Sequence, residues 1–526
     1  MNYSLLAQEQ SVSKIADAVM QSCCSQSVQG IPNWLASASI AAILIFSHIF
    51  INSKASFKIK SYWTFNLFEK FPLLLKIVKK NSFPLIIQSL SIFLFLFIIF
   101  AGFFGSQRIS IVPMLVWTIW WILLIFLAAG FATTFCAICP WEGLSSIISS
   151  LSLRSRKKKI GFEMKWPKKL KNVYPALGLF VFLTWLELGI DDMTKSPSMS
   201  AIMGLIFLAI AILTVSIFEK RVFCRYLCMV GRISGLYAMF SPLELRGKSM
   251  DVCNACTTKD CLRGNEKATG CPTMLFPGGI NDNNYCTMCT ECVRACPHDN
   301  MALNIRSVAA DLIHRSRFKM DEAFFAVTLL ALTSFHGITM TPSWNIMVDM
   351  TRAMTGLSQA PIFSLLMIFM ILIPMGIFWF SAWTTKQLTC NHKMRTRDFF
   401  KAFAYPLIPV ALFYHLAHNG MHFFMEAQNI IPLLSDPMGW GWDLFGTATK
   451  TYAPMLSLTS IWYLQVILIV IGHIFGVIVA DRIAKVLFKD RKNFIRCLIP
   501  QLIVMILYSS FSIWLIAQPM EMRTGM

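Results

Sequence analysis

Acidic residues are scarce: 27 Asp and Glu in 526 residues, and only 14% of the chain is charged at all. A soluble globular chain carries about 25% charged residues. An ordinary water-soluble enzyme is therefore excluded, and the 56% of hydrophobic residues need lipid to cover them. Several catalytic signatures are also missing. There is no Walker A loop, no G-x-G-x-x-G after a strand, no H-E-x-x-H and no G-x-S-x-G. Phosphate, dinucleotide, zinc-protease and serine-hydrolase chemistry thus have no visible site, and no catalytic residue is assigned. The lone Pro277-Gly278-Gly279 reads as a turn. The first thirty residues hold no basic segment followed by an apolar core, so no cleavable leader is expected and the first span is expected to act as the anchor.

Long apolar runs, by contrast, are abundant. Ten are long enough for a bilayer-crossing helix, which takes about 20 residues. They are Ile31–Ile51, Phe83–Phe104, Val112–Ala132, Val173–Ile190, Ser198–Phe218, Asp321–Thr341, Pro361–Thr384, Phe403–Phe424, Leu456–Ala480 and Ile495–Ala517. Lys and Arg outnumber Asp and Glu by 47 to 27, a net charge of +20, and their placement follows topology. With the N-terminus outside, segments 53–82, 133–172, 219–320, 385–402 and 481–496 face the cytoplasm and hold 41 of the basic residues. The outer segments hold six: Lys14, Arg108, Lys195, Arg352, Lys450 and Arg523. By the positive-inside rule this predicts a multi-pass protein of a bacterial-type inner membrane with both termini outside. The basic runs Arg154–Lys159 and Lys165–Lys171 then face anionic lipid, and no nucleic-acid partner is expected.

Sixteen cysteines are the second abundance, and half of them fall between residues 253 and 296, inside the segment 219–320. Cys286-x2-Cys289-x2-Cys292-x3-Cys296-Pro297 has the bacterial iron–sulfur spacing, in which three close thiolates grip one cluster and the fourth ligates its neighbour. Upstream, Cys253-x2-Cys256-x4-Cys261 is followed by Cys271-Pro272. Crossed ligation predicts two [4Fe-4S] clusters, one on Cys286, Cys289, Cys292 and Cys271, the other on Cys253, Cys256, Cys261 and Cys296. Zinc would use the same pairs, whereas disulfides do not suit a cytoplasmic face. Two further pairs, Cys136/Cys139 and Cys224/Cys228, stand at the ends of the third and fifth spans. Cys23, Cys24, Cys390 and Cys497 show no ligand spacing.

The order of these parts, over roughly residues 83–305, resembles the membrane polyferredoxins. These are the quinol-oxidising subunits of periplasmic nitrate reductase systems, the regulatory and electron-donating proteins of nitrous oxide reduction, and an assembly ferredoxin of haem–copper oxidases. In that family, Cys-x3-Cys-Pro motifs at the ends of two spans precede a cytoplasmic double-cluster module. Here the first motif is Cys136-x2-Cys139-Pro140, one residue shorter, and the second ends in Met229 where the family has proline. The resemblance implies a third redox centre on Cys136, Cys139, Cys224 and Cys228.

The C-terminal spans carry histidines. His415, His418 and His422 share one helix face, with His336 and His473 on other spans. Imidazoles from different helices are candidates for haem b or copper ligands, His415 with His473 above all for haem, and interhelical hydrogen bonding is the plain alternative. The expected architecture is a polytopic α-helical membrane protein of about ten spans with an inserted cytoplasmic α+β ferredoxin-like module. Residues 1–30 form an outer segment, 31–218 a five-span domain, 219–320 the module and 321–526 the histidine-bearing domain. The expected function is electron transfer between the quinone pool or an outer redox partner and the clusters. The alternative is a copper reductase or assembly factor for an outward-facing oxidoreductase.

Overall fold

The computed structural model describes residues 27–52, 63–145, 147, 164–190, 193–218, 221–315, 317–389 and 393–521. The leader expectation at the N-terminus, Cys23, Cys24, the basic run at 154–159 and Cys390 lie outside the described residues.

Ten apolar helices follow one another: α1 Asn33–Asn52, α2 Ser82–Phe104, α3 Ile111–Phe131, α4 Tyr174–Gly189, α5 Pro197–Ile217, α6 Met320–Thr339, α7 Gln359–Thr389, α8 Leu407–Glu426, α9 Leu458–Leu487 and α10 Arg491–Ala517. All but α4 belong to helices long and apolar enough to cross a bilayer, nine among the described residues. The chain is a multi-pass membrane protein. The expected fourth span is the one that differs. Pro175 opens it and the helix ends at Gly189, leaving 16 residues. At 1.5 Å per residue that is about 24 Å, less than the ~30 Å hydrocarbon core.

The helices divide by what surrounds them. On α2, Leu85, Ile86, Leu90 and Phe93 are exposed, as lipid-facing residues are, whereas α8 is buried continuously from Leu407 to His422. The central place of α8 follows from small residues on its neighbour. A Cβ added at Gly472 of α9 would lie 2.6 Å from Phe413 Cβ, and one at Gly476 would lie 2.8 Å from Val410 Cγ2. This small-x3-small stripe lets the two helices close on each other, the usual device for packing in lipid.

Five short strands accompany the helices: β1 Ser27–Val28, β2 Thr64–Asn66, β3 Leu243–Gly247, β4 Met301–Arg306 and β5 Met520–Glu521. β1 pairs antiparallel with β5, so the two ends of the described chain meet on one side. The other three form an antiparallel sheet in the order β2-β4-β3. Arg306, the last residue of β4 and wholly buried, donates to Glu244 Oε2 at 3.0 Å and to Asp311 Oδ2 at 2.7 Å. Short helices carry the cysteines around the sheet: Met250–Ala255, Asp260–Arg263 and Glu291–Ala295.

The segment 219–320 is less separate than its sequence suggests. It borrows β2 from the connection between α1 and α2. Its helix Met229–Ala238 is buried at every residue and packs on α3, α4 and α8. A Cβ at Gly235 of that helix would fall 2.1 Å from the Asn284 carbonyl oxygen, so only glycine fits there. At the other edge, Glu322 of α6 accepts from Tyr285 and Tyr405 hydroxyls, each at 2.6 Å, and pairs with Arg315 and Lys319. That hub ties the cysteine segment to the spans.

Candidate functional site

The eight cysteines of the sheet segment fall into two groups. After burial, the Cys292 thiol is raised most by Cys289, Cys286 and Cys271 and less by Cys261. The Cys261 thiol is raised in the same way by Cys296, Cys253 and Cys256. Cys271, Cys286, Cys289 and Cys292 line one small cavity together with Leu275 and Met301. Local backbone makes this possible. Met288 and Thr290 take positive φ of 52° and 61°, which coils the run so that successive thiols turn to one side. Glu291 accepts from Thr269 N at 2.9 Å and Thr269 Oγ1 at 3.0 Å, tying the Cys271 segment to the coil.

Backbone and side-chain N–H groups point at the sulfurs. Leu275 N lies 3.3 Å from Cys271 Sγ and Asn300 N lies 3.4 Å from Cys296 Sγ, while Asn300 Nδ2 lies 3.2 Å from Cys253 Sγ. Burial pushes the Cys292 thiol far up, and the neighbouring thiols add to it. Cys289 is pushed up to about 12 and Cys261 to about 11 for the same reasons, in that order. Half-buried Cys256 moves down, because the Lys259 N–H and the Thr258 hydroxyl favour its thiolate. A buried thiol quartet that resists ionisation needs a cationic centre to become a thiolate quartet, and N–H···S donors support one. The residues fit an iron–sulfur group. Among the described residues no three His, Cys, Asp or Glu side chains form a group suited to a single metal ion.

A second quartet stands where the spans meet this segment. Cys136, Cys139, Cys224 and Cys228 line one cavity with Glu142, Arg221, Pro272 and Cys289. Cys139 follows the short helix Thr134–Ile138 after α3, and Cys228 caps the helix Met229–Ala238, its Sγ accepting from Gly231 N at 3.3 Å. Cys224 Sγ lies 3.4 Å from Glu142 Oε2, and the other carboxylate oxygen, Oε1, pairs with Arg221. The buried Arg232 guanidinium donates to the Cys224 carbonyl at 3.4 Å and lies 4.7 Å over the Tyr285 ring. Burial raises all four thiols, and Arg232 lowers Cys136 and Cys228 against it. Cys289 lines the cavity of this quartet and Cys286 raises the Cys136 thiol, so the two thiol groups are neighbours.

An apolar cavity of about 320 Å³ adjoins the quartet between α2, α3, α4 and α5. Phe135, Ile138, Pro140, Trp141, Met229 and Val230, all flanking the thiols, form one end, and Trp117, Trp120 and Trp121 line its length. Glu187 and Thr184 of α4 are among its few polar groups. They also line a smaller cavity shared with Thr333, His336, Tyr414, His415 and His418.

The histidines are thus separated into roles. His336, His415 and His418 meet in that cavity, with the His336 and His418 rings 5.3 Å apart. His415 Nδ1 shares a 3.1 Å hydrogen bond with the Tyr237 hydroxyl. His422 stands 5.0 Å from His418 ring to ring and bonds Glu426 Oε1 at 3.2 Å. His473 is elsewhere: its two nitrogens meet Ser47 and Ser509 hydroxyls at 3.0 Å each, an interhelical hydrogen-bond role, and it does not line the cavity that holds His415. The tryptophan run, Tyr237, Arg232 and Asn300 were not singled out by sequence. The aromatic triplet Trp117, Trp120 and Trp121, spaced i, i+3, i+4, was the available signal for the first of these.

No family model matches the chain, and no solved structure matches it. Over 88 residues it is 27% identical to the "Putative electron transport protein YccM" of Escherichia coli (strain K12). The match spans 16% of this chain and 22% of that protein's length. A membrane-helical architecture and this likeness are together compatible with membrane electron transfer.

Proposed function

We propose that this chain is a membrane polyferredoxin that passes electrons between the quinone pool and two [4Fe-4S] clusters. The observation that carries the reading is the crossed grouping of eight thiols, Cys271 with Cys286, Cys289 and Cys292, and Cys296 with Cys253, Cys256 and Cys261. Those residues would hold the clusters, which supply one-electron storage when bound. The quartet Cys136, Cys139, Cys224 and Cys228 would hold a third redox centre between the sheet segment and the lipid phase. Its place supports the order: it borders Cys289 on one side and the tryptophan-lined cavity on the other.

The chain's own residues then have definite tasks. The tryptophans and Phe135 offer a flat, dry surface suited to a quinone ring. Arg232 and Arg221 supply positive charge beside the quartet, favouring its thiolates and any reduced state. Asn300, Leu275 and Gly231 orient sulfurs through N–H donors. The 41-to-6 distribution of basic residues supports a cytoplasmic sheet segment, an inner-membrane location and outer termini.

The deciding experiment is an anaerobic reduced-minus-oxidised spectrum with iron and sulfide analysis of the purified full chain. Broad bleaching near 400 nm with about eight irons per chain is the expected result for two clusters. Protein kept from oxygen that shows neither overturns the reading. Sharp additional bands would add haem, with His336, His415 and His418 the ligands to replace first.

A further inference from the structure

Polar side chains on α8 continue where the histidine cavity ends. His415, His418, Asn419, His422 and Glu426 fall at i, i+3, i+4, i+7 and i+11, one face of a helix, and all are buried. Gln428 follows, also buried. α8 runs away from the sheet side, since Tyr405, just before it, bonds Lys319 N and Glu322 there. This row therefore leads from mid-membrane to the far side.

Several of its atoms lack a partner. Tyr414 OH, Asn419 Nδ2, His422 Nε2 and Gln428 Oε1 are fully buried and have no hydrogen-bond partner among the described residues. A single orphaned buried donor or acceptor costs about 1–3 kcal/mol, and native proteins hold few. Three along one helix and a fourth in the turn that follows it, inside a membrane domain, point to a common occupant. Water is the occupant that satisfies donors and acceptors alike, and it needs a polar, continuous site such as this face.

We propose that this face of α8 is a hydrated proton path joining the tryptophan-lined cavity to the far side of the membrane. The inference rests on the quinone reading above. Interconversion of quinol and quinone moves two electrons and two protons together: the quinol loses both O–H protons as its ring is oxidised, and the electrons leave to one-electron acceptors on the thiol side. The protons cannot follow the electrons through an apolar wall. Glu187 lines both the apolar cavity and the histidine cavity, so its carboxylate is the first group placed to exchange them. His336 and His418 stand next, then His422 with Glu426. Thr184, Thr333 and Tyr414 face the same space from α4, α6 and α8, and Tyr237 reaches His415 from the buried helix. Waters on Asn419 and Gln428 would complete the row. Electrons and protons would then separate to opposite faces.

Two measurements on the full chain in nanodiscs test this. Hydroxyl-radical footprinting reads internal water without any substrate: Met421 and Tyr414 should label well above Met505 and Phe399, which are at least as buried. Asn419→Leu removes an orphaned donor while keeping the branched shape of the side chain, so it should fold and should quench that labelling. It should also slow cluster reduction by decylubiquinol about 100-fold, the scale of a lost positioned proton transfer, while dithionite reduces the clusters as before. Asn419→Ser should restore the rate. Absence of labelling overturns the path even if quinol reduces the wild type. Labelling with an unchanged quinol rate in Asn419→Leu overturns its proton role. Labelling in a wild type that only dithionite reduces defeats the quinone reading, and the proton role with it.

Discussion

The Tyr237 hydroxyl and His415 Nδ1 lie 3.1 Å apart, joining the helix that begins beside Cys228 to the most buried span. The nine residues from Cys228 to Tyr237 rise about 13.5 Å. One rigid ten-residue helix therefore connects the membrane-edge thiols to the histidine cavity. Tyr237→Phe should leave His415 Nδ1 buried and unpaired, at a cost of about 1–3 kcal/mol. A lowered thermal midpoint with unchanged iron content is the expected result.

Crossed ligation makes a prediction that neighbouring thiols cannot mimic. Cys271→Ser combined with Cys286→Ser should remove one cluster and leave about four irons, whereas Cys271→Ser with Cys253→Ser should remove both. Uncrossed ligation would reverse the two results. Iron analysis and electron paramagnetic resonance of the reduced variants decide between them.

Arg306 lies between two buried carboxylates, those of Glu244 and Asp311. Arg306→Met should cost about 3–5 kcal/mol, since both anions lose a countercharge in a buried site. Arg306→Lys keeps the charge but not the fork that reaches both partners, so its loss should be smaller. Denaturant unfolding of the sheet segment, followed through cluster absorbance, should rank the two in that order.

The β1–β5 pairing requires the chain between residues 28 and 520 to cross the bilayer an even number of times. Nine long spans leave one crossing to α4, short as it is. Cysteines introduced at Lys195 and Lys169 should then react with an impermeant maleimide from opposite sides of sealed vesicles. Reaction from the same side would make α4 a helix that turns back.

The sequence exposed what is local and hid what is not. The cysteine runs stood out because candidate ligand thiols lie within a few residues of one another, and the spans because lipid demands long apolar runs. β2 was not, since three residues at 64–66 pair with partners more than 200 positions away. The buried helix Met229–Ala238 carries Arg232, Ser234 and several small residues, so its composition looks soluble although every residue is inside. His473 looked like its fellow histidines because nothing nearby in sequence announces Ser47 or Ser509. The tryptophan cavity needed four helices to be assembled before it existed.

The borrowed strand β2 has a consequence for synthesis. Residues 64–66 leave the ribosome long before residues 301–306, the strand they pair with. At ~5–20 residues per second the delay is tens of seconds. During that interval the first connection waits without its partner edge, while four more helices enter the membrane. Insertion of the proposed clusters into a finished sheet would therefore come after the first half of the membrane domain is in place, a late event in the life of this chain.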